Sequence, residues 1–168
     1  MELTPVQLGD GLARLVWESF TDYIESGPTP HGPRTDGDDA TAGLIAEELL
    51  ILFLWVHTRA CQQAFAGRID ADVLKATLDA MHRAVFEDLE AHGTPRGHLP
   101  LLEQRVSARY AEYYDAADGD GGTVGELAAR RVSGRHDVDP RFGAALAQAA
   151  MTAARPLRDY LDEVVIIA

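Results

Sequence analysis

The sequence contains one cysteine, Cys61, so no disulfide can form within the chain. Cysteine usage therefore sets no redox compartment, and the cytoplasm is the default expectation. Positive charge is scarce: Lys and Arg total 15 against 27 Asp and Glu, a formal net charge of −12. A field of that sign repels nucleic acid and anionic membrane surfaces and favours solubility, and it suits basic partners where there are any. The opening residues Met1-Glu2-Leu3-Thr4-Pro5 carry neither a basic stretch nor an apolar one, so no secretory signal is expected. No segment alternates apolar and polar residues for long, which argues against a sheet. No repeat and no low-complexity tract is present. The sequence also lacks a Gly-x-Ser-x-Gly elbow and a glycine-rich loop following a strand, so neither a serine nucleophile nor a phosphate cradle is indicated.

What is present is a long apolar stretch. Leu49-Leu50-Ile51-Leu52-Phe53-Leu54-Trp55-Val56 is uninterrupted, and no glycine or proline breaks the chain from Leu44 to Ala66. Residues of this kind favour a helix, and a helix apolar on every face must be surrounded. Lipid is a poor candidate, because a spanning helix needs about 20 mostly apolar residues and Glu47, Glu48, His57 and Arg59 close this run. The expectation is an all-α bundle of five or six helices, a single domain over 1–168, packed around a buried central helix at about 39–66. A chain of this length buries about 70% of its unfolded surface, enough to fold without a disulfide or metal staple.

Around that helix the punctuation is clear. Thr4 and Pro5 suit the cap and first position of a helix reaching about Ser26, whose stripe is Leu8, Leu12, Leu15, Val16, Phe20, Tyr23 and Ile24. Three prolines and three glycines then break the pattern, giving a loop at about 27–38 that is a linker or a binding loop. Gly67 ends helix two, and Asp70 caps a third helix closed by Gly93. The short link makes helices two and three expected antiparallel neighbours. Helix three buries Val73, Leu74, Leu78, Met81, Val85 and Leu89. Helix four runs from Leu99 or Pro100 to Ala117 with the stripe Leu102, Val106, Tyr110 and Tyr113. Thr123 and Glu126 form the pattern of a capping box for a short fifth helix ended by Gly134. Asp139-Pro140 opens a sixth helix that Pro156 is expected to kink or split near Thr152. Val164 to Ile167 resembles a strand but has no partner in sight.

Candidate chemistry is sparse. His57 and Cys61, four apart, share a helix face with zinc-ligand spacing, and Asp79 with His82 makes half of a carboxylate-histidine site. Neither set is complete, so the metal is unknown and no cofactor is expected. Asp36, Asp38 and Glu47 fit the first, third and twelfth positions of a calcium loop but miss its glycine, and Asp115, Asp118 and Asp120 also miss the pattern. The seven residues from Glu47 to Phe53 resemble the second acidic helix of the MazG-type helical nucleotide pyrophosphohydrolases. That resemblance implies magnesium held by carboxylates on two helices, yet apolar residues replace the family's downstream Asp and no Glu-Glu-x-x-Glu precedes it. Thr123 to Arg131 opens like a helix-turn-helix, and Arg130, Arg131, Arg135, His136 and Arg141 make one basic segment, but the turn arrives late and −12 opposes phosphate contacts.

Three functional readings follow, with no catalytic residue assigned. The first is a cytoplasmic regulatory or adaptor protein acting on another protein or on a second copy of itself as a homodimer, using apolar helix surface and the Val164–Ile167 tail. The second is a small-ligand or metal pocket between helices two, three and four, walled by Glu48, His57, His82, Tyr110 and Tyr114. The third is DNA binding through residues 130–141.

Overall fold

A computed structural model describes residues 1–28, 39–119 and 123–167. Among these the chain forms six α-helices: α1 (Pro5–Ser26), α2 (Asp39–Phe65), α3 (Ala71–Ala91), α4 (Leu99–Asp118), α5 (Thr123–Ser133) and α6 (Pro140–Asp162). A single 3₁₀ turn, Arg96–His98, leads into α4. The fold is an all-α bundle, and no described helix is long and apolar enough to cross a membrane. Residues 29–38 of the expected linker or binding loop, the Thr123 side chain of the expected capping box, and the calcium-loop positions Asp36, Asp38 and Asp120 lie outside what the structure describes.

The helix boundaries follow from local chemistry. Thr4 and Gln7 build a reciprocal capping box, the Gln7 amide donating to Thr4 Oγ1 at 3.3 Å and the Thr4 amide to Gln7 Oε1 at 3.0 Å. Pro5 takes the first helical position. After α2 and α3 the chain reverses at Gly67 (φ 71°) and Gly93 (φ 104°), a backbone region where a Cβ is strained. Asp139 caps α6 by accepting from the Arg141 amide at 2.9 Å.

α2 is the axis. All eight residues from Leu49 to Val56 are 5% exposed or less, because α1, α5 and α6 sheathe most of its length and α3 and α4 complete the wall. α3, however, lies chiefly along α1 rather than beside α2. A short link fixes only the ends of two helices near each other, whereas the longest contact goes where the backbones approach most closely. That place is Gly9: a Cβ there would stand 2.5 Å from Ala80 Cβ and 2.8 Å from the Met81 amide nitrogen. Trp17 fastens the same pair, its Nε1 donating to Asp88 Oδ2 at 3.0 Å. A second close crossing joins α5 to α6, where a Cβ on Gly125 would lie 2.4 Å from the Gly143 carbonyl oxygen.

Two expectations near the C-terminal end are corrected. α6 is not split at Pro156 but continues through it. The proline is exposed, so water can satisfy the carbonyl it leaves unbonded, while Leu157 and Leu161 beyond it are buried at 3% and 0%. Second, the apolar tail has a partner after all. Val165–Ile166 (β2) pairs in parallel with Glu2–Leu3 (β1), through Val165 N to Met1 O at 2.8 Å and Ile167 N to Leu3 O at 2.9 Å. Val164 is buried, while Val165 and Ile167 are 57% and 40% exposed. Two residues per strand leave the alternation too short to read from sequence.

Candidate functional site

The five candidate residues separate into two neighbourhoods. Between α2, α3 and α4, His82 Nε2 lies 2.7 Å from Tyr110 Oη, which lies 3.1 Å from Thr58 Oγ1. The direction of this chain is fixed at its far end. His82 Nδ1 is 2.7 Å from the Leu78 carbonyl, an acceptor only, so Nδ1 carries the proton and Nε2 accepts. Tyr110 therefore donates to His82, and Thr58 donates to Tyr110. Burial pushes the His82 pKa down and that of Tyr110 up, so both are neutral at pH 7. Tyr114 packs edge-on to Tyr110 at 6.3 Å between ring centroids and donates to Gln62 at 2.6 Å. These groups satisfy one another and hold α4 against α2 and α3.

Glu48 sits nearby but is engaged. Arg109 donates to both its oxygens, Nε and Nη2 each at 2.8 Å, and Glu112 links Arg109 onward to Arg131 of α5. Glu47 is held likewise by Arg105 and by His98 Nε2. The two carboxylates of the pyrophosphohydrolase-like segment are thus bound to basic side chains of one neighbouring helix and the turn before it. No three His, Cys, Asp or Glu side chains gather to hold a metal among the described residues. Asp79 pairs with Lys75. Cys61 is fully buried, and burial pushes its pKa to about 12, so the thiol stays protonated and unreactive. In the basic segment, Arg130 is turned toward Glu126, Arg131 toward Glu112 and Arg141 toward its own cap Asp139, which draws three of the five groups away from any external phosphate.

His57 stands apart from the other four. It is 1% exposed on α2, and its Nδ1 lies 2.8 Å from the Phe53 carbonyl, so Nδ1 is the donor. Desolvation holds its pKa down near 4 and the ring is neutral at pH 7. Nε2 is then a bare acceptor, and it makes no hydrogen bond with any described residue. The ring lines a cavity of about 870 Å³ between α1, α2 and α6. Phe53, Leu15 and Leu157 supply apolar wall, and alanines 145, 149 and 153 of α6 make the space by being small. Tyr23 closes one end, its hydroxyl donating to the Pro28 carbonyl at 2.9 Å, and burial raises its pKa to about 12. Glu18 and Asp22 stand on the α1 side of the mouth with Arg14.

Sequence reasoning found His57 but assigned it to the wrong wall, because 3.6-residue periodicity cannot orient a helix that is apolar all round. It missed the α1 and α6 lining entirely. The one available signal was the run of alanines on α6, which reads as close packing as readily as it reads as space.

No protein-family model, no curated protein and no solved structure matches the chain.

Proposed function

We propose that this chain is a helical small-molecule-binding protein whose ligand occupies the cavity between α1, α2 and α6. One observation carries the reading: a neutral, almost wholly buried imidazole presents an unmatched acceptor to a cavity that is otherwise largely apolar. A donor on a bound molecule would satisfy that acceptor, a hydrogen bond worth about 0.5–1.5 kcal/mol net. The volume lies within the range of about 300–1,000 Å³ usual for ligand sites. The chemistry selects an uncharged molecule with an apolar body and one O–H or N–H group directed at Nε2.

The test uses paired probes of one shape. 2-Naphthol carries the donor and 2-methoxynaphthalene lacks it. Titration calorimetry and thermal shift are expected to show 2-naphthol binding at least about tenfold tighter and raising the melting temperature. His57→Phe is expected to erase that difference. Equal affinity of the two probes for the unaltered protein, or no binding of either, would overturn the reading.

A second reading, association of two copies, is favoured by one feature. Met1, Val165 and Ile167 are 60%, 57% and 40% exposed along a two-stranded ribbon with an open edge, and exposed apolar edges invite pairing. Sedimentation across a concentration series tests it: a single monomeric species at all concentrations would remove it.

A further inference from the structure

A second cavity, of about 630 Å³, lies on the other side of α6, between α2, α5 and α6. Its making is the same: the small side chains Ala147, Ala150 and Ala154 on α6 leave a half-buried trough beside Met151, which is 60% exposed, with the buried Leu52 and Val56 of α2 as its floor. Its electrostatics are the opposite of the whole chain's. Arg59, Arg155 and Arg158 line it with Asp159 as the one acid, in a protein that carries 27 carboxylates against 15 basic side chains. Most arginines here are committed, Arg109 and Arg131 among them, but Arg155 and Arg158 pair with no carboxylate. Arg155 makes no hydrogen bond or ion pair with a described residue, and Arg158 donates only to the neutral Gln63 at 2.9 Å. Arg59 lies over the Trp55 ring at 5.6 Å and reaches the exposed Asp118 only at 3.6 Å.

Uncommitted guanidinium groups beside an apolar trough match an anionic head on an apolar chain. Arg holds a carboxylate through two parallel donors, and the trough takes hydrocarbon. We propose that this cavity binds a single-chain aliphatic carboxylate, with the carboxylate on Arg155 and Arg158 and the chain laid along Ala147, Ala150 and Met151. The site is independent of the one at His57, because the two share no lining residue.

Trp55 lines this cavity, whereas Trp17 is engaged with Asp88 on α1 and α3, and the chain has only these two tryptophans. A Trp17→Phe protein therefore reports from Trp55 alone. It would be titrated with dodecanoate, dodecanol and dodecyltrimethylammonium, each below its micelle concentration, with native mass spectrometry to count bound molecules. The expected result is one dodecanoate bound, with a saturable change in Trp55 emission. Affinity should fall about tenfold for dodecanol and further for the cation, as loss of a charge-assisted bond implies. Adding Arg155→Gln and Arg158→Gln, both at exposed positions, should bring dodecanoate down to the dodecanol level and leave dodecanol unchanged. Ala150→Leu should weaken both. Dodecanoate no tighter than dodecanol, an unchanged affinity in the double glutamine variant, or binding of many molecules without saturation would each overturn the proposal. None of these outcomes bears on the naphthol test.

Discussion

A single imidazole sets the acid sensitivity expected of the fold. The pKa of His57 lies near 4 in the folded chain and near 6.5 when unfolded. Between those values the unfolded chain binds a proton that the native state refuses, so stability is complete above about pH 6.5 and falls as the pH drops toward 4. The difference corresponds to about 3 kcal/mol. Urea unfolding of the parent and His57→Phe at a series of pH values should show this loss in the parent and a shallower slope in the variant. Close approach is just as local a matter. Gly9→Ala puts a methyl carbon where Ala80 Cβ and two backbone atoms of α3 already stand, and overpacking of that kind costs about 1–3 kcal/mol. The melting temperature of Gly9→Ala should fall accordingly. Tyr110→Phe leaves both His82 Nε2 and Thr58 Oγ1 without their partner, and a loss of about 1–3 kcal/mol is expected in chemical denaturation.

Between elements, the ties are of two kinds, and only one was legible in the sequence. The apolar stripe of α1, the all-round apolar run of α2, the caps at Thr4 and Asp139 and the reversals at Gly67 and Gly93 could be read directly, because each depends on residues within a few positions of one another. Asp70, by contrast, precedes α3 without a side-chain cap bond, and Thr77 and Ala80 are buried there with Met81 and Val85 while Val73, Leu74, Leu78 and Leu89 are only half-buried. Which helix lies beside which could not be read. The choice of α1 as the bed for α3 hinges on Gly9 meeting Ala80, 71 positions away, and a glycine inside a helix reads equally well as a weak point. Of the candidate site, His82, Tyr110 and Tyr114 do meet, since aromatic and polar residues on adjacent helices were expected to face one another. His57 faces the opposite wall, and Arg155 and Arg158 of α6 were not singled out because periodicity says nothing about which charges lack partners. The Glu48–Arg109 pair is the strongest polar tie between α2 and α4. With side chains 9% and 17% exposed, removing one member strands the other away from water. Arg109→Ala is therefore expected to cost about 3 kcal/mol, whereas Arg96→Ala, on a pair whose arginine is 84% exposed, should cost under about 1 kcal/mol. Equilibrium denaturation of the two variants side by side checks the contrast.

At the scale of the molecule, twelve uncompensated negative charges surround one hydrophobic core. Their mutual repulsion opposes compaction, and it is screened as the Debye length shrinks from about 30 Å at 0.01 M salt to about 10 Å at 0.1 M. Five of the ion pairs among the described residues have both partners exposed and contribute little. The melting temperature should therefore rise with sodium chloride over that range, as calorimetric scans would show. A fall instead would mean that the ion pairs linking α2, α4 and α5 outweigh the repulsion.

The order in which the helices emerge during synthesis gives the central position of α2 a cost in time. α2 leaves the ribosome before α5 and α6, which cover much of it. Until the roughly 100 residues between the end of α2 and the end of α6 have been translated, the oiliest segment of the chain has only a partial coat. At typical elongation of about 5–20 residues per second, that interval lasts several seconds. Leu49 to Val56 is therefore the segment of the nascent chain most open to non-native contact, and chains stalled before α6 should be the ones that aggregate.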